Sequence, residues 1–557
     1  MTPGPQEALH DMTAGRRVGE DVMTELQPSG HADRFTRLNL PPREQWPDLV
    51  FDLPELAYPD RLNCGTELLD RTVDKGLGDR MAVYSKARSL TYAGLLAEAN
   101  RLAHYLVDEM GIIPGNRVLL HGPNGVDLMV AWYAVMKTGA VAVTTMPMFR
   151  AGELAKVIAK GQVGHALCDP ALVEAVREAA RSEPVLARIE CWGEDSELAA
   201  ALPGKPADFD NADTARDDVA LLAFTSGTTG QPKACAHFHS SVLAMADTFG
   251  RHGLVPDSDE IYTGTPPFAF TFGLGAFVVF PARAGIAVAL PDKPGFDALC
   301  ECIETFKATT LFTAPMGYRA LMANWDTHDL SSLRKCVSAG EHLPAAISDA
   351  FHECSGLRLI DGIGATELIH IFIAGSGEPV RVGSTGRVVP GYQARLIGDD
   401  GDEVPVGEVG RLAVRGPTGC LYLKDDRQAG YVQDGWNLTG DLFRRDEDGY
   451  FWYFSRADDL IVSSGYNIAG PEVEQALLTH PAVAECAVVG APDAERGTIV
   501  KAFVVLKAGH CAGETLACAL QDHVKATIAP YKYPRAVAFL DSLPKTQTGK
   551  LQRFKLR

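Results

Sequence analysis

A run of small, hydroxyl-bearing and glycine residues follows an apolar stretch near the middle of the chain: Thr225, Ser226, Gly227, Thr228, Thr229 and Gly230. Lys233 closes this run. Glycine lets backbone N–H groups approach a polyphosphate, and the hydroxyls and the ammonium group add donors. The spacing is not that of a Walker loop, because Ala234 stands where Ser or Thr would follow the lysine. The run predicts a phosphate-binding loop, with an ordinary Gly/Ser/Thr turn as the alternative.

Carboxylates in two other segments could bind the rest of a nucleotide. Glu367 stands beside Thr366, and a carboxylate there suits a hard cation that bridges phosphates. Asp441 follows Gly440, and its carboxylate could accept hydrogen bonds from both hydroxyls of a ribose. Arg456 offers two parallel donors to ribose or phosphate. Taken alone, Glu367 and Asp441 are more typical of ordinary turn residues than of a ligand site.

Lys550 lies on a Thr/Gly loop near Arg553 and Arg557. A mobile cation can stabilise the charge that develops at an α-phosphate and then withdraw. Taken alone, however, this position is more typical of a solvated lysine than of a catalytic one.

An aromatic stretch, Thr263–Phe277, contains Phe270 and Phe272 and has no acidic residue. Flat rings and small residues suit a flat acid, although buried core aromatics fit the same pattern. His237 and Phe238 follow the phosphate loop and are interpreted as surroundings of a carboxylate substrate. A metal site is not favoured there, because no third ligand is spaced nearby.

His370 is a further candidate for this pocket. It could hydrogen-bond an ortho amino or hydroxyl group of the acid, and a core histidine is the alternative.

The elements that hold these residues alternate between strand and helix patterns up to about residue 390. This alternation predicts a largely parallel α/β sheet. The segment Ser89–Gly111 has helical spacing, and Asp127–Val141 is typical of a buried helix followed by a strand. Tyr392–Pro417 predicts a small β-subdomain, and Pro471–His480 predicts a helix in a separate C-terminal unit.

The predicted fold class is therefore α/β, with a large N-terminal domain of parallel α/β sheets plus a small β-subdomain, and a small mobile C-terminal α+β domain. The predicted boundaries are an N-terminal arm at 1–45, the large domain at 46–457 and the small domain at 458–557. The charged, Ser/Gly-rich stretch Ser455–Gly465 is a candidate interdomain hinge.

The composition of the 557 residues excludes several classes of protein. Apolar residues make up 46% and charged residues 22%, which is typical of a globular chain of more than one domain. The net charge of −19 argues against nucleic acid and against an anionic membrane face as partners. Twelve scattered cysteines without a CxxC pair favour reduced cysteines in the cytoplasm. The polar N-terminus is not a secretory signal, and no apolar stretch is long enough to span a bilayer.

In their order, these motifs resemble those of the adenylate-forming enzymes: acyl- and aryl-CoA ligases, peptide-synthetase adenylation domains and luciferases. The resemblance covers roughly residues 60–557. The matching segments, in sequence order, are TSGTTGQPK at 225–233, DGIGATE at 361–367, TGD at 439–441, SRADD at 455–459 and PKTQTGK at 544–550. Three positions differ from the family pattern: Ile363 replaces a tyrosine that stacks on adenine, Ser455 replaces a glycine, and Phe270 replaces a histidine found in many relatives.

The resemblance implies a two-step reaction with ATP, Mg²⁺ and coenzyme A. It implies that Lys550, Thr366 and Glu367 are catalytic, that Glu367 holds Mg²⁺, that Asp458 is the hinge, and that Ser464 and Gly465 line the path of CoA. The ATP- and AMP-binding residues would be those of the phosphate loop with Lys233, and also Gly340, Glu341, His342, Asp361, Gly362, Ile363, Gly364, Ala365, Asp441 and Arg456. The acid-binding residues would be His237, Phe238, Phe270, Phe272, Ser338, Ala339 and His370.

A finer resemblance points to the benzoate-CoA ligase group and its 2-aminobenzoate-CoA ligase branch. It rests on four segments: Leu38–Asp70, Pro147–Leu154, Ser338–Pro344 and Asp361–Ile373. It implies a cytoplasmic ligase for an aryl acid, acting in the degradation of aromatic compounds as a monomer or homodimer.

Other functions stay open at this stage. The chain could adenylate a fatty acid, or an acid destined for a carrier protein, and it could be a non-catalytic nucleotide-binding protein. The lack of an acidic residue in Thr263–Phe277 argues against α-amino acids. No GxGxxG after a strand supports a dinucleotide oxidoreductase, and no GxSxG supports a serine hydrolase.

Overall fold

The computed structural model describes residues 25–193, 195–225, 231–377, 380–463, 466–493, 497–545 and 551–557. Several predicted site residues lie outside these ranges: Ser226, Gly227, Thr228, Thr229, Gly230, Ser464, Gly465 and Lys550.

Strands of the large domain, in chain order, are β1 (Met81–Tyr84), β2 (Leu90–Thr91), β3 (Arg117–His121), β4 (Val141–Thr145), β5 (His165–Cys168), β6 (Arg188–Cys191), β7 (Val219–Thr225), β8 (Lys233–Phe238), β9 (Ile261–Gly264), β10 (Ala287–Ala289), β11 (Thr310–Thr313), β12 (Lys335–Ser338), β13 (Leu359–Gly364), β14 (Ile371–Ala374), β15 (Arg387–Val388), β16 (Gln393–Ile397), β17 (Val409–Arg415), β18 (Val432–Gln433), β19 (Trp436–Arg445) and β20 (Phe451–Arg456).

Helices of the same domain are α1 (Phe35–Leu38), α2 (Tyr92–Asp108), α3 (Val126–Lys137), α4 (Ala151–Gly161), α5 (Val173–Ser182), α6 (Glu197–Ala201), α7 (His239–Met245), α8 (Thr271–Leu274), α9 (Phe280–Ala284), α10 (Phe296–Phe306), α11 (Pro315–Asn324), α12 (Ala345–Ser355) and α13 (Gln428–Tyr431).

Two mainly parallel sheets form the body of the large domain. Within the described residues, one has the order β15-β14-β13-β12-β11-β9-β10-β1-β2 and the other β6-β5-β3-β4-β7-β8. Every residue of β3 and β4 is buried, as expected for parallel strands covered on both faces. One apolar cluster joins Val118 of β3 to Val288 and Phe312 of the other sheet, so the main core lies between the sheets. The predicted α/β class is confirmed.

Helix α2 illustrates how local sequence sets an element. Thr91 caps it by accepting a hydrogen bond from the Gly94 N–H, and Leu95, Leu102 and Leu106 are buried on one face. The helix begins later than its apolar spacing predicts, because Leu90 and Thr91 pair with β1 as a strand.

The predicted β-subdomain is a third sheet, antiparallel, with the order β16-β17-β19-β18 and β20 beside β19. Its pairing of β19 with β20 places Asp441 directly opposite Arg456. A short 3-10 turn, Ala457–Asp459, follows β20.

The small domain contains the hairpin β21 (Ile461–Ser463) and β22 (Tyr466–Ile468), the sheet of β23 (Val483–Asp493), β24 (Gly497–Leu506) and β25 (Ala536–Phe539), and the helices α14 (Gly470–Leu478) and α15 (Glu514–Thr527). Its apolar cluster, which includes Val473, Val488 and Leu520, draws only on residues from Ile461 onward. It meets the large domain where Arg319 donates to the Ala484 carbonyl oxygen at 3.0 Å.

Residues from the predicted N-terminal arm dock on the start of β7. The backbone N–H of Gln27 donates to Asp217, that of Gly30 donates to Asp218, and Arg37 pairs with Asp217 at 3.1 Å.

All twelve cysteines are free. Among the described residues, no helix combines the length and the apolar character needed to cross a membrane.

Candidate active site

The predicted phosphate loop connects two antiparallel strands, β7 and β8. Thr225, the last residue of β7, pairs with Lys233, the first residue of β8. The two ends of the loop are therefore fixed side by side, and Lys233 lies next to Thr225 where the chain leaves the loop. The Thr225 hydroxyl oxygen is buried and has no hydrogen-bond partner in the described part of the chain.

One face of β8 supports the turn that carries Thr366 and Glu367. Lys233, Cys235 and His237 alternate along the strand and so share a face. The Lys233 ammonium lies 3.5 Å from Glu367 Oε1. Cys235 donates to the Glu367 carbonyl oxygen at 3.9 Å, and His237 Nε2 donates to that of Thr366 at 2.8 Å. His237 therefore supports the backbone of the turn that carries Thr366 and Glu367.

Phe238 lies on the opposite face of β8. It is buried, and its ring packs 5.8 Å from that of Trp46 in a different apolar cluster. The structure does not bring it to the other candidate acid-binding residues.

Glu367 sits on a 3-10 turn, Thr366–Leu368, and is 9% exposed. Ile369 follows with φ of +63°, an unfavourable conformation for a β-branched residue. Such strain persists where the surrounding structure imposes it, often at functional sites.

Tyr422, which the sequence analysis missed, joins Glu367 to Lys233. Its hydroxyl donates to Glu367 Oε1 at 2.5 Å and accepts from the Lys233 ammonium at 2.7 Å. Burial and the neighbouring Glu367 carboxylate raise the pKa of Tyr422 well above its usual value. The tyrosine is therefore a neutral phenol between two charges.

The predicted nucleotide segments lie at the ends of neighbouring strands. Ser338, at the end of β12, pairs with Asp361 of β13. Gly340 has φ of +90° and open space where a Cβ would stand, so a ligand can approach its backbone. Burial raises the pKa of Asp361 well above its usual value, and the smaller effects of Gly362 and Thr385 oppose this shift.

The remaining residues of β13 and the loop that follows it border the candidate nucleotide site. Gly362, Ile363 and Gly364 pair with β14, and Ala365 precedes the Glu367 turn.

His342 stacks on Tyr453, with ring centroids 4.9 Å apart and an angle of 27° between the planes. Burial, with a smaller effect of Arg553, lowers the pKa of His342 to about 4, so its ring is neutral. Its neighbour Glu341 lies on the same loop after β12. Tyr453 was missed because its partner is distant in sequence and no motif marks it.

Asp441 and Arg456 form an ion pair beside Gly440. Arg456 Nη1 lies 3.1 Å from Asp441 Oδ1 and also donates to the Thr439 carbonyl oxygen. Gly440 has φ of +76°, and a Cβ there would stand 2.9 Å from the Arg456 guanidinium. Only glycine fits this position without displacing the arginine.

His370 lies in an aromatic cluster with Phe249, Phe272 and Phe280, at ring distances of 5.6, 5.8 and 4.7 Å. Burial lowers the pKa of His370 to about 3. Its Nε2 lies 3.4 Å from the Phe272 carbonyl oxygen, and its buried Nδ1 has no partner within the described ranges. The spacing of the sequence gave no signal for Phe249 or Phe280.

Phe270, half-buried, is the residue that precedes α8, and Ala339 is buried next to Ser338. Asp458 lies in the 3-10 turn between the two domains.

Two family descriptions match the chain. The description "AMP-binding enzyme" matches residues 69–421, and "AMP-binding enzyme C-terminal domain" matches residues 472–550. The chain belongs to the AMP-binding enzyme family. The resemblance inferred from the motifs is confirmed, and the enzyme is an AMP-forming acid–CoA ligase that uses ATP and CoA.

Relatives of the ligase include the benzoate–CoA ligase of Thauera aromatica, 34% identical over 514 residues, covering 90% of this chain and 97% of the relative. The 4-hydroxybenzoate–CoA/benzoate–CoA ligase of Rhodopseudomonas palustris is 33% identical over 507 residues, covering 89% and 94%. The solved structure of the anthranilate CoA ligase AuaEII with anthranoyl-AMP superposes with a TM-score of 0.86 at 33% identity, covering 91% of this chain and 98% of that one.

Glu367 offers one carboxylate oxygen to a magnesium ion, because both hydrogen bonds that the described residues make to this carboxylate fall on Oε1. The described residues contain no group of three or more His, Cys, Asp or Glu side chains that could hold a metal ion. A single carboxylate is nevertheless the expected protein ligand for Mg²⁺ that arrives with substrate phosphates, because Mg²⁺ keeps several waters and binds few side chains.

Proposed function

We propose that the ligase joins an aromatic acid of the benzoate or 2-aminobenzoate type to CoA through an aryl-AMP intermediate. The observation that carries this proposal is the ring of Phe249, Phe272 and Phe280 around a neutral His370, three residues beyond Glu367. Rigid aromatic walls suit a flat acid. Further support comes from relatives named for benzoate, hydroxybenzoates and anthranilate.

In the first step, a carboxylate oxygen of the acid attacks the α-phosphorus of ATP, and pyrophosphate leaves. The phosphate loop and Lys233 hold the phosphates, and Thr366 contacts them from the neighbouring turn. Glu367 would hold Mg²⁺, which when bound neutralises phosphate charge. Lys550 stabilises the charge that develops at the α-phosphate.

The AMP part of the nucleotide is held by the surrounding strands. Asp441 accepts hydrogen bonds from the ribose hydroxyls, and Arg456, fixed by Asp441 at 3.1 Å, donates to ribose or phosphate. The backbone from Gly340 to His342 and the backbone from Gly362 to Ala365 line the adenine site, which Asp361 borders.

In the second step, the CoA thiol attacks the acyl carbonyl carbon, the thiol proton is lost to solvent, and AMP leaves. We place the hinge for this change at Asp458, between domains at 46–457 and 458–557, with Ser464 and Gly465 along the pantetheine path. Separate apolar clusters on the two sides of this turn support the division.

His370 is the proposed selector for substituents on the aryl ring. Because Nε2 faces the Phe272 carbonyl oxygen, the proton is placed on Nε2 and Nδ1 is an acceptor. An acceptor there suits an amino or hydroxyl group in the ortho position. Phe270, Phe272, Ser338 and Ala339 are the proposed walls around it, and His237 supports the turn beside them. The twelve free cysteines favour a cytoplasmic location.

The test is AMP release with ATP, Mg²⁺ and CoA across benzoate, 2-aminobenzoate, hydroxybenzoates, cinnamates, hexanoate, palmitate and amino acids, with Lys550→Ala beside the wild type. Strong turnover with benzoates that the variant loses supports the proposal. Turnover only with fatty or amino acids would refute the aryl pocket. Adenylate formation without CoA-dependent release would point to a carrier-protein acceptor, and AMP binding without any turnover to a non-catalytic protein.

A further inference from the structure

Tyr422 is fixed against β8 by its backbone as well as by its side chain. It forms an antiparallel bridge with Cys235, and its N–H donates to Gln428 Oε1 at 2.8 Å. On either side, the Ala236 N–H donates to the Leu421 carbonyl oxygen and the Leu423 N–H to that of Ala234, both at 2.8 Å. The side chain is fully buried. Its hydroxyl therefore has a set position beside the end of the phosphate loop.

This hydroxyl bridges two opposite charges whose direct ion pair is long. The Lys233 ammonium is 2.7 Å from the hydroxyl oxygen but 3.5 Å from Glu367 Oε1. A direct charge-assisted hydrogen bond would be about 2.8 Å long. A phenol can accept from the ammonium and donate to the carboxylate at once, which no apolar side chain of that shape can do.

Both contacts that the described residues make with the Glu367 carboxylate fall on Oε1. Oε2 is left for a cation, and the ammonium, which donates to Tyr422 and at 3.5 Å to Glu367, keeps one of its three N–H donors for phosphate oxygens. If the phenol were absent, the Lys233–Glu367 ion pair would shorten to a direct charge-assisted hydrogen bond, which Mg·ATP would have to break before binding.

We propose that Tyr422 is a positioning residue for the first half-reaction, which holds Lys233 and Glu367 in a long, bridged pair instead of a direct one, so that both charges stay available to Mg·ATP. This inference rests on the proposed roles of Lys233 and Glu367. It adds a residue that lies outside every motif of the sequence and 189 positions from Lys233.

The half-reactions separate this role from a purely structural one. Mg²⁺ and pyrophosphate take part only in adenylate formation, so Tyr422→Phe should weaken that step alone. We expect the dissociation constant of Mg·ATP, measured calorimetrically without acid, to rise about ten- to hundredfold, as for the loss of a hydrogen bond to a charged group. Thioester formation from synthetic aryl-AMP and CoA should stay within about twofold of wild type.

Tyr431→Phe is the matched control. Its ring is buried 5.7 Å from that of Tyr422, and its hydroxyl has no hydrogen-bond partner in the described ranges. The same atom is removed there, and neither half-reaction should change. Equal losses in both half-reactions for Tyr422→Phe, or no loss in either, would overturn the proposal.

Glu367→Gln distinguishes the failure of this inference from that of the proposed function. If Glu367→Gln leaves Mg·ATP affinity unchanged, the role of Glu367 is wrong. If Glu367→Gln weakens affinity and Tyr422→Phe does not, only the role of Tyr422 is wrong. If Tyr422→Phe does not fold, 3-fluorotyrosine is introduced at position 422 instead. The fluorine resonance of this residue should shift when Mg·ATP is added, whereas that of 3-fluorotyrosine at position 431 should not. The absence of a shift at position 422 would refute the proposal.

Discussion

Asp441 and Arg456 lie opposite each other on neighbouring antiparallel strands, and their side chains meet at 3.1 Å. The carboxylate is 11% exposed, whereas the arginine side chain is 45% exposed. A carboxylate held in this way is fixed in position, and the exposed arginine can turn toward a ligand. In the proposed function, this pair would connect the β-subdomain to nucleotide binding.

Asp441→Asn is expected to raise the KM for ATP about ten- to hundredfold, because it removes a charged acceptor for the ribose and the partner of Arg456. The KM for the acid should stay within about twofold. Glu403→Gln is the control, since Glu403 forms an exposed ion pair with Arg445 on the same sheet, and such pairs contribute little. Steady-state kinetics with each substrate varied would check this, and an unchanged KM for ATP would contradict the assignment.

Gly440→Ala separates backbone strain from ligand binding. Gly440 and Gly449 have φ of +76° and +82°, so alanine at either position should cost about 1 kcal/mol of stability. Only at Gly440 would the new Cβ approach the Arg456 guanidinium, at 2.9 Å, whereas Gly449 has nothing within 4 Å. Both variants should lose a few degrees in thermal unfolding, and only Gly440→Ala should also weaken ATP binding. Equal ATP affinity in the two variants would show that Arg456 does not act on the nucleotide.

The sequence predicts the large features because they depend on local patterns. Periodicity predicts the buried helix and strand at Asp127–Val141, and turn residues predict the antiparallel β-subdomain at Tyr392–Pro417, both as the structure has them. Tyr422 and Tyr453 could not be found in this way. Their partners, Lys233 and His342, are distant in the chain, and the contacts arise only when separate sheets pack together.

Acid should destabilise the large domain through His121, which is fully buried and bonds to the Thr145 hydroxyl. Burial lowers the pKa of His121 from 6.5 to about 4. Because the unfolded state takes up the proton first, this stability is complete above pH 6.5 and is lost as the pH falls toward 4, at about 1.4 kcal/mol per pH unit.

His121→Asn removes the titration and keeps a polar atom near the place of Nδ1. Its thermal unfolding midpoint should therefore fall less steeply between pH 6.5 and 4 than that of wild type. His510→Asn, at an exposed position, should follow the wild-type curve. Parallel curves for His121→Asn and wild type would refute the buried neutral state.

Gly275→Ala tests the aromatic cluster as the acid site. A Cβ at Gly275 would stand 2.5 Å from Cδ2 and 2.6 Å from Nε2 of His370, and 3.0 Å from the Phe280 ring. The backbone of Gly275 is helical, so alanine adds no strain of its own, and the effect must come from displacing His370. We expect the KM for the preferred aryl acid to rise at least about tenfold, because displacing one well-packed group costs about 1–3 kcal/mol of free energy. The KM for ATP should stay unchanged.

Gly152→Ala in α4 is the matched control, because it is also helical and has nothing within 4 Å of the new Cβ. It should be neutral or slightly stabilising, with unchanged kinetics. If Gly275→Ala instead lowers stability and leaves the KM for every acid unchanged, His370 belongs to the core and not to the acid site. If it changes the ranking of ortho-substituted against unsubstituted benzoates, the position of Nδ1 selects the substituent.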